Sequence, residues 1–140
     1  MHADHKVSPK SWLSFDLNVL RRMKFEAAAI PFNPDPALGA YLKRWGVRVS
    51  ANDPLQSAWI RCVAAVTNNA EKLSADDVNL VLEDAYVPGY RLSNPGLLNW
   101  FSETDSWWFD NVRRRIDMLD TPNSRAIASS IAMAAGQYVM

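Results

Sequence analysis

The spacing of apolar residues changes twice between residues 24 and 54, and these changes predict a βαβ unit. An apolar run that ends near Ala29 is followed by a Pro-rich stretch that ends at Pro36. A block with helical spacing then ends at Trp45, and a second apolar run ends at Ala51. Gly46 ends the helical block, because glycine readily takes the left-handed conformation that often follows a helix. Strand, helix and strand in this order predict two parallel strands, with Asn52 and Asp53 at the end of the second.

Helical spacing dominates the rest of the chain. A first helix is predicted from Ser8 or Ser11 to about Met23, where basic residues suit a helix C-terminus. Four further helices follow the βαβ unit, at about residues 55–68, 74–86, 102–119 and 121–140. Six helices and two strands predict an α/β class, with a helix-rich fold around a small parallel sheet.

The predicted domain is a single one, 1–140, with a βαβ core at about 24–54 and a helical remainder at 55–140. A parallel sheet normally has both faces covered. We therefore expect either that helices wrap the sheet or that further strands lie beyond residue 140. The last helix reaches Met140 without a residue that would end it, which favours an incomplete domain.

Two helices are predicted to bury one apolar side each. In the helix at 55–68 the buried stripe comprises Leu55, Trp59, Cys62, Val63 and Val66. The position of Cys62 in this stripe predicts a packed thiol rather than a nucleophile. In the helix at 102–119 the stripe comprises Trp108, Val112, Ile116 and Leu119. Trp107 lies beside that stripe, and we expect it nearer the surface.

Composition and charge remove several classes of function. Fifteen basic and fifteen acidic side chains give a formal net charge of zero, which does not indicate bulk attraction to nucleic acid or to an anionic membrane. A single cysteine excludes an internal disulfide and fits a reducing compartment. No apolar run approaches a membrane span, and His2 and His5 lack the spacing of metal ligands. These observations predict a soluble, cytoplasmic protein without a metal site.

Three motifs in order give the chain a resemblance to a known family. They are the strand end Gly46-Val47-Arg48-Val49-Ser50-Ala51-Asn52-Asp53, the helix Trp100-Phe101-Ser102-Glu103 continuing through Asp110-Asn111-Val112-Arg113-Arg114-Arg115-Ile116, and the ending Ala134-Ala135-Gly136-Gln137-Tyr138-Val139. Together they resemble the N-terminal part of the Dam-like, adenine-specific DNA methyltransferases, which use S-adenosylmethionine. The resemblance covers about residues 24–140 and implies a partial Rossmann-like methyltransferase fold.

The resemblance also implies roles for particular residues. Asp53, after Asn52, would accept hydrogen bonds from the ribose hydroxyls of the cofactor, and Glu26 would stand for the acid of the family's first motif. DNA phosphates would be contacted by basic residues, namely Arg91, Arg113, Arg114 and Arg115. Simpler alternatives exist for both sets. Asp53 can cap the helix that begins at Pro54, and the arginine run can complement the C-terminal dipole of its helix.

The chain departs from the family pattern at two places. The family's cofactor loop is glycine-rich, whereas residues 27–36 contain no glycine and include three prolines, each of which lacks an amide donor. The catalytic Asp/Asn-Pro-Pro-aromatic motif is absent. We therefore predict no catalytic residue, and an activity that is lost in this chain alone. The chain is either a fragment of an active enzyme or a degenerate relative that keeps the scaffold.

A second hypothesis is a non-catalytic binding or interaction module. Its recognition surface would be the aromatic residues around Trp100 and Trp107, because tryptophan is frequent at interaction hot spots. The occupant of that surface would be a protein partner or a missing C-terminal part of the domain.

Overall fold

The computed structural model describes residues 10–83 and 91–139, which contain several helices and one two-stranded parallel sheet. The chain divides between Val66 and Thr67 into two compact units. The helix-rich α/β class with a small parallel sheet is confirmed. We describe the two units separately.

The first unit contains the predicted βαβ arrangement. Its elements are α1 (Lys10–Leu20), β1 (Ala27–Pro31), α2 (Ala37–Arg44), β2 (Arg48–Asn52) and α3 (Gln56–Cys62), and a π-helical segment (Val63–Thr67) continues α3. Gly46 follows α2 with φ of 81°, which is the left-handed conformation predicted for it.

Strand β1 ends later than the sequence predicts. Ile30 and Pro31 were expected in the loop, but they pair with Ala51 and Asn52 in the parallel ladder. Pro31 is the last residue of a strand with one open edge, where its missing N–H costs little. The loop between β1 and α2 is consequently shorter than predicted.

The sheet is covered on one face only. Residues alternate along both strands, and the half-buried ones are Ala28, Ile30, Val49 and Ala51. Helix α2 packs closely on this face at Gly39, where a Cβ atom would lie 3.6 Å from side-chain carbons of both Ile30 and Val49. The neighbouring positions on the strands are exposed, so the helices of the first unit cover one face of the sheet.

The predicted stripe of α3 is buried only in its second half. Cys62 and Val66 are 4% and 8% exposed, as predicted, but Leu55 and Trp59 are 61% and 52% exposed. The predicted burial of Leu55 and Trp59 is therefore wrong. Leu55 precedes α3 in an extended conformation, with φ of −80° and ψ of 124°, so it does not continue the helical stripe.

The second unit is helical in its described part. Its elements are α4 (Ala75–Leu82), a 3-10 segment (Pro95–Asn99), α5 (Glu103–Ile116) and α6 (Pro122–Val139). Ser74 and Asp77 form a capping box at the start of α4, where the sequence predicts a helix to begin, with hydrogen bonds of 3.0 and 2.8 Å. The predicted end of this helix near Tyr86 lies outside the described residues.

Helices α4, α5 and α6 share one apolar core. Its buried members are Val81, Val112, Ile116, Leu119 and Ala128. Trp108 was predicted in this core, but it is 37% exposed, whereas Trp107 is only partly exposed. Phe109 instead packs against Phe101, with ring centroids 4.7 Å apart. A Cβ atom at Gly136 of α6 would lie 3.5 Å from the ring of Phe101 and 3.6 Å from that of Phe109. The predicted placement of the two tryptophans is therefore reversed.

No helix of the described residues is both long enough and apolar enough to span a membrane.

Candidate functional site

The carboxyl ends of β1 and β2 lie at one edge of the sheet, because the strands are parallel. Asn33 and Asp53 follow these ends and are buried, at 4% and 9% exposure. The amide of Asn33 donates to the carbonyl of Asn52 over 3.2 Å, which extends the ladder past Pro31. The backbone thus brings two buried polar side chains to the edge where parallel α/β folds bind their ligands.

Two Asp-Pro pairs form the same turn at this edge. Oδ1 of Asp53 accepts the amide of Leu55 at 2.8 Å, and Oδ1 of Asp35 accepts the amide of Ala37 at 2.9 Å. Each carboxylate therefore holds the N–H two residues further on, just before a helix. The two differ in their surroundings, since Asp35 is exposed and Asp53 is buried.

Asp53 does not cap α3 as predicted, because the helix begins at Gln56 with Leu55 as its N-cap and without a side-chain cap hydrogen bond. Asp53 instead uses one of its oxygens for a turn before the helix. Its bond goes to Leu55, the residue that precedes the first residue of α3. Within residues 10–83 and 91–139, no donor bonds the second oxygen, Oδ2. A buried carboxylate with one oxygen left over can accept a hydrogen bond from a ligand without giving up its structural bond.

Cys62 completes the polar cluster from α3. Nδ2 of Asn33 lies 3.5 Å from Sγ of Cys62, and Sγ lies 3.7 Å from the carbonyl oxygen of Asn33. Burial raises the pKa of the Cys62 thiol, the charges of Asp53 and Asp35 raise it further, and the bond from Asn33 opposes them. The thiol form is therefore favoured, in agreement with the packed role predicted for it.

Phe32 leads from β1 into the site in an unusual backbone conformation. Its φ is 54°, and its side chain is 77% exposed. Left-handed backbone costs roughly 1–2 kcal/mol for residues with a Cβ atom, and glycine avoids this cost. A phenylalanine therefore stands at a position of the loop whose backbone conformation suits glycine.

Glu26 is separated from the other predicted cofactor residues. It precedes β1, and its carbonyl accepts the amide of Arg48 at 2.9 Å, at the amino end of the sheet. The length of β1 places it roughly 16 Å from the edge that carries Asn52 and Asp53.

Asn52 is the last residue of β2 and lies beside Asp53 on the exposed face of the sheet. The two side chains differ in their surroundings, since Asn52 is exposed and Asp53 is buried. Cofactor binding by these residues stays a prediction. Sequence reasoning missed Asn33 and Cys62, because their bond joins positions 29 residues apart. The one available signal was Asn33 before two closely spaced prolines, a pattern that is typical of turns.

The four predicted DNA-contacting arginines do not share one direction. Successive residues of α5 point about 100° apart, and Arg113 forms an exposed ion pair with Asp117. Arg115 points inward, because it donates to the carbonyl of Leu80 and pairs with Glu83. Arg91 and Arg114 are exposed. DNA contact by these residues stays a prediction.

The aromatic region of the second unit has one strongly exposed member. Trp100 is 72% exposed and Leu98 is 50% exposed, while Trp107 is half-buried. The nearby loop is held by Asp110, whose buried carboxylate accepts the amides of Ser93 and Asn94 at 2.8 and 3.0 Å. Trp100 therefore projects from a fixed segment.

Among the residues that the structure describes, no three His, Cys, Asp or Glu side chains are grouped to hold a metal ion. His2 and His5 lie outside that part of the chain.

Comparison with protein-family models gave no match, and comparisons with curated proteins and with solved structures gave none either.

Proposed function

We propose that the carboxyl edge of β1 and β2 binds the nucleoside part of a ligand, and that S-adenosylmethionine is the ligand of this class to test first. The observation that carries the proposal is the buried carboxylate of Asp53, which keeps Oδ2 for a further donor at the edge of a parallel pair. Vicinal ribose hydroxyls are donors that an acid in this place accepts.

The residues fit the two halves of this ligand differently. The ribose half has an acceptor in Asp53. The methionine half would need backbone amides close by, and the loop offers few, because prolines stand at residues 31, 34 and 36. Glu26, predicted to stand for the acid of the family motif, lies at the amino end of the sheet, away from this edge. We therefore propose a degenerate or partial relative of the DNA adenine methyltransferases that binds a nucleoside and transfers no methyl group.

Titration calorimetry tests this proposal. We expect weak, saturable binding of S-adenosylmethionine and of adenosine, weaker binding of 2′-deoxyadenosine, and no binding of methionine. Asp53→Asn should weaken adenosine binding about tenfold or more, because a charged acceptor is replaced by a neutral one. Asp35→Asn is the matched control, since it changes the same kind of turn at an exposed position.

The proposal fails if neither S-adenosylmethionine nor adenosine binds at millimolar concentration. It also fails if Asp53→Asn and Asp35→Asn have equal effects. Circular dichroism checks that each variant keeps the fold. We expect it to, because the side-chain oxygen of Asn can still accept the amide two residues further on.

A second candidate function is protein interaction through the aromatic surface of the second unit. The observation that favours it is the 72% exposure of Trp100 on a segment fixed by Asp110. If the partner is a second copy of this chain, the interaction can be detected with the purified protein alone. Light scattering of the wild type and of Trp100→Ser across a concentration series would show whether this surface joins two copies.

A further inference from the structure

Helix α1 has two apolar sides, and only one of them is packed. The packed side comprises the half-buried residues Leu13, Leu17 and Leu20. The other side, which we call the exposed stripe, comprises Trp12, Phe15 and Val19, at 62%, 59% and 44% exposure. Their spacings of three and four residues place these three on one side of the helix, and the rings of Trp12 and Phe15 meet edge to face with centroids 6.4 Å apart.

The exposed stripe ends beside basic residues. Arg22 follows Val19 by three residues, and its amide donates to the carbonyl of Val19 at 3.1 Å. The guanidinium carbon of Arg21 lies 5.1 Å from the ring centre of Trp45, the residue that follows α2. The ends of α1 and α2 are therefore next to each other.

Further basic residues reach the same end of the first unit. Helix α2 returns the chain from the carboxyl end of β1 to the amino end of β2, and Arg44 is its last residue. Arg48 opens β2 and donates its backbone amide to the carbonyl of Glu26 at 2.9 Å. Lys24 comes two residues before Glu26. The amino end of the sheet thus collects basic residues from three separate segments.

We call these residues the basic cluster, and all its members are exposed: Arg21, Arg22, Lys24, Arg44 and Arg48. Of the two acidic residues between residues 21 and 48, Asp35 follows the carboxyl end of β1, so only Glu26 lies at the amino end. Within the described ranges, no carboxylate forms an ion pair with a member of the cluster. Helix dipoles do not account for the whole cluster, because Lys24 and Arg48 lie outside both helices.

We infer that the exposed stripe and the basic cluster together bind the surface of a membrane that contains anionic lipids. Apolar side chains of such a surface helix enter the boundary between headgroups and acyl chains, while neighbouring basic residues contact the anionic headgroups. Helix α1 has 11 residues, and a helix of this length is too short to cross the hydrocarbon layer, so it lies along the surface.

The exposed stripe favours lipid over a nucleic acid as the partner. The phosphates of a DNA duplex match the basic cluster equally well, but they leave the three apolar side chains of the stripe in water. A lipid surface provides a partner for both features. The inference is independent of the proposed nucleoside site, which lies at the opposite end of the two strands.

Co-sedimentation with vesicles tests the contribution of charge. The vesicles contain phosphatidylcholine and phosphatidylserine in equal parts, or phosphatidylcholine alone. The double variant Arg22→Gln with Arg48→Gln removes two charges, and we expect it to weaken binding to the mixed vesicles about tenfold or more, since a basic residue near an anionic surface contributes about a fivefold factor. The control, Lys72→Gln with Arg113→Gln, removes the same charge from exposed positions of the second unit and should bind as the wild type does.

A second pair of variants tests the exposed stripe. Trp12→Gln removes its largest member, and we expect it to weaken binding to the mixed vesicles about tenfold, because less apolar area enters the interface. Trp59→Gln is the matched control, since Trp59 is a helical tryptophan of the same unit with 52% exposure. It should bind as the wild type does. Circular dichroism checks that each variant keeps the fold.

Three results would overturn the inference. The first is a wild type that does not sediment with the mixed vesicles, or that sediments equally with phosphatidylcholine alone. The second is an equal loss in the two charge variants, which would show that only the total charge matters. The third is a Trp12→Gln variant that binds vesicles as the wild type does while Arg22→Gln with Arg48→Gln loses affinity for a DNA duplex, which would assign the basic cluster to nucleic acid.

Discussion

Two hydrogen bonds join Asn33 and Cys62. The side-chain nitrogen Nδ2 of Asn33 donates to Sγ of Cys62 at 3.5 Å, and the thiol donates to the backbone carbonyl oxygen of Asn33 at 3.7 Å. Both residues are 4% exposed. The pair ties the loop after β1 to the middle of the helix after β2. Because the same loop carries Phe32 and Asp35, this contact holds the candidate site together from within the first unit.

The first prediction concerns the pH dependence that Cys62 gives to folding. Its pKa in the folded protein is raised above the ordinary value of 9.0, chiefly by burial. The unfolded chain then loses this proton at a lower pH than the folded chain does. The stability that depends on the protonated thiol is fully present below pH 9.0 and is lost as pH rises through the folded pKa.

Urea denaturation at pH 8 and pH 10 checks this prediction. The wild type should lose more stability between the two values than Cys62→Ala does, because the variant lacks the thiol. Other groups titrate in this range, so only the difference between the two proteins counts. Equal losses would show that the surroundings of Cys62 do not favour its protonated form.

Local sequence signals predicted the order of the elements and most of their ends. Gly46 and the capping box of Ser74 and Asp77 act within a few residues, so a single stretch of sequence contains the information. Properties that depend on distant contacts were missed. The exposure of Trp59 and the Asn33–Cys62 pair both depend on the packing of α3. The candidate site was therefore predictable at Asp53 and not at its buried neighbours.

A second prediction concerns the left-handed backbone of Phe32. Asn adopts this conformation more readily than Phe, so Phe32→Asn should raise the free energy of unfolding by up to about 1 kcal/mol. Phe32→Val should lower it by a similar amount, since β-branched residues are strained there. The side chain is 77% exposed, so little packing is lost in either variant. Chemical denaturation of the three proteins measures the order, and a Val variant more stable than the Asn variant would refute it.

A third prediction contrasts two neighbouring arginines of α5. The side chain of Arg115 is 13% exposed, and it bonds the carbonyl of Leu80 at 3.1 Å and pairs with Glu83, which holds α4 against α5. Arg115→Ala should lower the free energy of unfolding by about 1–2 kcal/mol, because a partly buried carbonyl loses its donor. Arg113→Ala breaks only an exposed pair with Asp117 and should cost at most about 0.5 kcal/mol.

The Arg113→Ala variant also tests the predicted DNA contact. If the arginine run contacts phosphates, Arg113→Ala should weaken binding to a DNA duplex at low salt, while its stability stays close to that of the wild type. A fluorescence anisotropy titration measures this. Equal anisotropy curves for the wild type and Arg113→Ala would remove Arg113 from the predicted DNA contact.

The last prediction tests how closely α2 packs on the covered face of the sheet. A Cβ atom at Gly39 would lie 2.9 Å from a methyl carbon of Val66, too near for unstrained contact. Gly39→Ala gains up to about 1 kcal/mol of helix propensity, but overpacking a buried site costs about 1–3 kcal/mol, so the variant should be less stable overall. Val66→Ala alone should also be destabilising, because it leaves a cavity. The double variant should lose less than the sum of the two single losses, since the new methyl group partly fills that cavity. Additive losses in urea denaturation would show that Gly39 and Val66 are not coupled.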